Sequence, residues 1–172
     1  MLWVQISLLV GQSTLNMDTT HRRLSVILPT FNERSNIHSI TNRLLPLQNP
    51  HQLEILFVDD DSADGTADVI VELAQHHSCI RLIRRVGRYG LSSAIKEGIL
   101  NATGDVVVVM DSDGQHEPDA VNSAVETLLN KDLDLVVGSR FHPAAAIHGL
   151  SSQRERNSAW ANAVARFSLP HY

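Results

Sequence analysis

From Leu24 onward the chain alternates between short, uninterrupted apolar runs and longer stretches in which apolar residues return every three or four positions. The runs LSVILP, LEILFVDD, CIRLIRR, VVVVM (Val106–Met110) and LDLVVGSR predict five strands. Between them, Ile37, Ile40, Leu44 and Leu45 recur at helical spacing behind Asn32 or Ser35, either of which could serve as the cap. Val69, Ile70, Val71 and Leu73 supply the apolar positions of a second helix. YGLSSAIKEGILNATG predicts a third, ended by Gly104, and a fourth is expected from about Pro118 to Leu129 with its proline in the first turn. Pro29 is expected to close the first strand, because proline has no N–H to give a central ladder.

Strands separated by helices of about ten residues or more need crossovers that return to the same end of the sheet. The expected fold is therefore α/β, a mostly parallel sheet with helices on both faces. Unbroken apolar strands fit a sheet covered on both sides. Ahead of this pattern, MLWVQISLLVGQ is apolar but has neither a basic n-region nor a small-x-small cleavage site. Met17 offers a second start just before the first convincing strand. Residues 1–22 are thus expected to be a non-core extension, and residues 23–172 a single domain.

Composition changes this picture little. With 172 residues, 43% hydrophobic and 19% charged, the chain is an ordinary globular length and mixture. A net charge of -5 argues against nucleic acid as a partner. The basic residues are uneven, with Arg81, Arg84, Arg85, Arg88 and Lys96 in one short window that reads by itself as a solvated face. The lone Cys79 permits no internal disulfide and reads as a buried structural thiol.

In an open parallel sheet, ligands bind beyond the carboxyl ends of the strands. That rule gathers Pro29–Glu33, Asp59–Asp61, Asp111 with Asp113, and Ser139–Arg140 on one rim. Carboxylates crowded together repel unless a cation or polar ligand compensates. Oxygen ligands of this kind suit Mg2+ or Mn2+, which in turn hold phosphate. Asp64, Asp68 and Asp119 read instead as turn and cap residues. The string VVVVMDSDG also suggests a haloacid dehalogenase nucleophile strand, but Gln115 stands where that motif wants Ser or Thr, and the strand is the fourth rather than the first. A receiver domain fails because no lysine follows the last strand.

SVILPTFNERSNI, EILFVDDDSADGTADV, GLSSAIKEGI, GDVVVVMDSDGQHEPD and DLVVGSRF occur in order, and together they resemble the family 2 inverting glycosyltransferases of the dolichol-phosphate mannosyltransferase-like, polyprenyl-phosphate group. The resemblance runs from about Arg23 to Pro170 and implies a GT-A-like fold. It implies that Pro29, Phe31 and Glu33 meet the base and ribose of a nucleotide sugar, with Val58 and Asp60 continuing the pocket. Asp111, Ser112 and Asp113 match the D-x-D block, with Gln115 as a further ligand to Mg2+ or Mn2+. Arg140 matches an arginine beside the diphosphate, and Asp113 and Arg140 are the residues expected to carry the chemistry. The implied donor is GDP-mannose or UDP-glucose and the implied acceptor a polyprenyl phosphate. The implied location is the cytoplasm, peripheral on the cytoplasmic face of a membrane, with Trp160, Ala163, Val164 and Phe167 on one helical face among Arg154, Arg156 and Arg166. The chain stops at Tyr172, where the family continues into an acceptor-side region. The alternative expectation is therefore a non-catalytic remnant that binds nucleotide sugar or a partner without transfer.

Overall fold

The computed structural model describes residues 4–8, 22–49, 51–112 and 118–138. All of them fall in one compact unit, Leu2–Gly138. Four strands pair in parallel: β2 (Arg23–Thr30) lies between β3 (Gln52–Asp59) and β5 (Val106–Val109), and β4 (Ile80–Arg84) flanks β3. Beyond β5 come β1 (Val4–Leu8), antiparallel to its neighbours, and β6 (Leu135–Gly138), giving the order β4-β3-β2-β5-β1-β6. The helices are α1 (Arg34–Leu44), α2 (Thr66–His76), α3 (Leu91–Asn101) and α4 (Pro118–Asn130), with a 3-10 turn at Leu45–Gln48. The α/β expectation holds.

The period of two along each strand sorts the core into layers. Val26, Leu28, Ile55, Phe57 and Val108 pack with Ile37 and Ile40 of α1, Ile70 of α2 and Val121 of α4. Ile27, Leu56, Val58, Val107 and Val109 point to the opposite face, against Ala94, Ile95 and Ile99 of α3. Each fully buried aliphatic side chain here contributes about 1.5–3 kcal/mol. The α3 layer sits close. A Cβ on Gly98 would stand 2.5 Å from Ile27 Cγ2, so only glycine lets the helix settle at this depth.

Four details depart from the sequence reading. Pro29 does not end β2, which runs to Thr30. Ile27 O accepts from Met110 N on the β5 side, and Thr30 O from Asp60 N on the β3 side. That alternation turns Pro29 toward β5 just past the last paired residues, Ile27 and Val109, so its missing N–H costs no ladder bond. Val4–Leu8, expected outside the core with the rest of residues 1–22, forms a strand in the sheet, paired with both β5 and β6. Its sequence VQISL alternates apolar and polar residues, which is a strand signal. Helix α3 ends at Asn101, and Gly104 serves a different need, since a Cβ there would lie 2.6 Å from Ser25 N. Finally, β6 is largely exposed, as an outermost strand of the sheet is, unlike the apolar β2, β3 and β5.

Candidate functional site

The loops that follow β2, β3 and β4 are tied to one another by short polar contacts. Asp59 is fully buried and accepts from the Ser62 N–H at 3.0 Å and from the Ser62 hydroxyl at 2.5 Å. Ser62 Oγ in turn accepts from Asn32 N at 2.8 Å, and Asn32 Oδ1 from Ala63 N at 3.2 Å. Thr66 Oγ1 accepts from Glu33 N at 3.0 Å and donates to Asp64 Oδ1 at 2.6 Å. Asp64 also takes the Arg34 N–H at 3.1 Å. Burial pushes the Asp64 carboxyl up, but the hydrogen bonds from Thr66 and Arg34 outweigh it and hold the group below its ordinary range. Asn32 and Asp61 take φ of 56° and 55°, a left-handed turn that short polar side chains tolerate. The acidic loop after β3 is therefore a built frame.

Its three consecutive aspartates do three different jobs. Asp59 makes the turn. Asp60, 6% exposed, reaches across to Arg85, which at 2% exposed is the most deeply buried cation among the described residues. Asp60 Oδ2 also accepts the Gly90 N–H at 2.7 Å, and Arg85 donates to Glu97 Oε2 at 3.2 Å and Ser93 Oγ at 2.5 Å. Asp61 pairs with Arg84 at 2.9 Å on the exposed side. The rim expected to need a bound cation is thus compensated in part by arginines of its own. The sequence reading took Arg85 as one of a basic window running from Arg81 to Lys96 and missed that it points inward. Strand alternation carries the signal: Leu82 packs with the α1–α2 layer and Ile83 with the α3 layer, so Arg85 follows Ile83 toward α3.

This network fixes the 85–90 loop above the sheet, next to Phe31. The Phe31 and Tyr89 rings stand 6.1 Å apart at 83°, edge to face, and both are mostly exposed. Behind Tyr89, a groove of about 570 Å³ is lined by Arg85, Arg88, Ser93, Lys96, Glu97 and Leu100.

Seven of the residues expected from sequence meet at this rim. Pro29 lies near the end of β2 and Phe31 just past it, and Asp60 projects toward α3 through Arg85. Glu33 begins α1, its carboxylate accepting from Asn36 Nδ2 at 2.6 Å. Val58 is fully buried beneath the rim, packed under α3. Asp111 is half-buried just past β5, and buried Ser112 donates its hydroxyl to Pro29 O at 3.3 Å, joining the two strand ends. Asp113, Gln115 and Arg140 lie outside the described residues, as do Trp160, Ala163, Val164 and Phe167. Among the described residues no cluster of three His, Cys, Asp or Glu forms a metal cage. The part of the donor set they contain is Asp111, an oxygen ligand of the kind hard cations take.

This open α/β sheet with acids beyond its carboxyl edge has the GT-A fold of its structural neighbours, which are glycosyltransferases. Superposition agrees, with a TM-score of 0.56 and 30% identity to a mannosyltransferase from Pyrobaculum calidifontis in complex with GDP-Man and Mn2+, over 64% of this chain and 33% of that one. Glucosyl-3-phosphoglycerate synthase from Mycobacterium tuberculosis, with Mn2+, UDP and glucosyl-3-phosphoglycerate, matches at a TM-score of 0.52 and 28% identity, over 63% and 40%. The chain belongs to the glycosyl transferase family 2, whose model matches residues 25–168. Among curated relatives, dolichol-phosphate mannosyltransferase of Pyrococcus furiosus is 37% identical over 86% of this chain and 42% of its own length. The enzyme of that name in Saccharomyces cerevisiae is 37% identical over 72% and 46%. Polyprenol monophosphomannose synthase of Mycolicibacterium smegmatis is 33% identical over 92% and 60%. The chain spans about half the length of these relatives.

Proposed function

We propose that this chain carries the donor side of an inverting hexosyl transfer, from GDP-mannose or UDP-glucose to a polyprenyl phosphate at the cytoplasmic face of a membrane. The observation that carries the reading is the agreement, over 126 to 163 residues, with relatives named dolichol-phosphate mannosyltransferase or polyprenol monophosphomannose synthase. The rim supports it by bringing Pro29, Phe31, Asp60 and Asp111 to the carboxyl edge of one sheet, where nucleotides settle in such folds.

In this reading an oxygen of the acceptor phosphate attacks C1 of the sugar while the bond from C1 to the diphosphate oxygen breaks. The bonding pair leaves on the diphosphate, and the configuration at C1 inverts. The acceptor is already an anion, so no side chain has to remove a proton. Asp111, Asp113 and Gln115 would hold Mg2+ or Mn2+, which when bound supplies positive charge to the leaving diphosphate. Arg140 would add its own charge there, stabilising the transition state. Pro29 and Phe31 would seat the nucleoside, with Asp60 holding the 85–90 loop beside them and Glu33, Val58 and Ser112 shaping the loops around it.

Calorimetry with GDP and UDP, each with Mn2+ and with chelator, tests the donor half. Metal should strengthen binding at least tenfold, and Asp113→Asn should abolish that gain. Equal affinity with and without metal would sink the metal role. Radiolabelled GDP-mannose and UDP-glucose with a polyprenyl phosphate then test transfer, and binding without transfer would select the non-catalytic alternative.

A further inference from the structure

The 85–90 loop is mounted more firmly than a surface connection requires. Arg85 is buried among Asp60, Glu97, Ser93 and the Gly90 carbonyl, and Asp60 holds the Gly90 N–H at 2.7 Å. Gly87 and Gly90 adopt φ of 66° and 123°, turns that let the loop double back between these anchors. What the mount displays is Tyr89, 64% exposed, at right angles to Phe31, 55% exposed. Two large rings left in water on a rigid base form a corner, one ring presenting a face and the other closing a side. A planar partner lying against such a corner buries the face of one ring and the edge of the other at once.

We infer that Tyr89 is a binding residue for the nucleoside, forming with Phe31 a two-ring corner that takes the planar base of a nucleoside diphosphate. The inference rests on the donor reading proposed above and adds to it a residue that none of the sequence motifs marked. Asp60 serves the base site in this scheme by holding the loop that carries Tyr89.

The test is calorimetry on the full chain with Mn2+ and three probes: GDP, UDP and inorganic diphosphate. Tyr89→Ala should weaken whichever nucleotide binds better by roughly tenfold or more, the usual loss of a base–aromatic stack. Diphosphate affinity should stay unchanged and the thermal midpoint nearly so, because the side chain is 64% exposed and its one ring contact is with Phe31, itself 55% exposed. Tyr89→Phe should bind like the parent, since the ring and not the hydroxyl does the stacking. Undiminished nucleotide binding by Tyr89→Ala would overturn this inference and leave the donor reading intact. An equal loss for diphosphate would also overturn it, showing a collapsed loop rather than a lost stack. A parent chain that binds no nucleotide would remove the donor reading itself, and this inference with it.

Discussion

The two ends of the sheet are built from the same parts and do different things. At the amino ends of the strands, Glu54 is buried and accepts from the Ser25 hydroxyl, from Arg81, and from the Thr103 N–H at 2.9 Å. Ser25 Oγ takes the Gly104 N–H at 2.8 Å, and Arg23 pairs with Asp105 at 2.7 Å. Every partner of this acid belongs to the sheet or to the turn it clasps. At the carboxyl ends, Asp60 and Arg85 make a more deeply buried pair, with side chains 9% and 3% exposed against 11% and 44% for Glu54 and Arg81. The loop they hold carries exposed Tyr89 beside Phe31. A buried acid held by an arginine therefore does not by itself mark a functional end. What the pair holds up for solvent does.

Breaking the rim pair should have the largest effect. Arg85→Ala leaves Asp60 buried without its cation and is expected to cost about 3–5 kcal/mol. Urea unfolding measures it. Arg85→Met combined with Asp60→Leu should return much of that stability while still losing nucleotide binding. A cost below about 1 kcal/mol for the single change would mean that the buried pair is not the anchor of the loop.

The amino-end pair should come next. Burial drives the Glu54 carboxyl upward, yet the hydrogen bonds from Ser25, Thr103 and Arg81 together hold it below its usual range. A lowered folded pKa gives stability that is present above the ordinary carboxylate range and lost as pH falls through the folded value. Glu54→Gln should cost about 1–3 kcal/mol near neutral pH and flatten the acid limb of the stability curve. Nucleotide affinity should not move, since the turn lies at the far end of the strands. A parallel loss of affinity would erase the distinction between the two ends.

The same contrast explains what was legible in the sequence. The runs of β2, β3 and β5 were readable because a parallel strand covered on both faces is apolar nearly throughout, β4 was readable from Ile80, Leu82 and Ile83, and the acids were readable because they follow β3 and β5 directly. Pro29 misled as a strand end, since sequence does not say which neighbour a residue's N–H faces or where that neighbour's ladder stops. Val4–Leu8 was passed over because its alternation is short and separated from β2 by a polar stretch, and its partners, β5 and β6, are about a hundred residues away or more. Gly104 looked like a helix stop, yet its requirement comes from the Ser25 backbone, a contact no local pattern encodes. Tyr89 was invisible for the same reason: its meaning depends on Phe31, which is 6.1 Å away in space and 58 positions away in sequence.

The smallest effect should come from the arginine next door. Arg84 and Arg85 are consecutive, so the strand turns them to opposite sides. Arg84 pairs with Asp61 at 2.9 Å, but its side chain is 51% exposed and that of Asp61 24%, against 3% for Arg85. Water and salt screen an exposed pair, and holding two long side chains together costs entropy, so Arg84→Ala should change stability by less than about 1 kcal/mol. Whatever it loses should shrink further in high salt, whereas the Arg85→Ala loss should persist because its pair is shielded from ions. Asp61 still receives the Gly87 N–H at 3.4 Å, which leaves the loop its second anchor. Urea titrations of both variants at low and high salt would measure the difference. Equal costs for the two arginines would show that burial is not what separates a loop anchor from a surface pair on this rim.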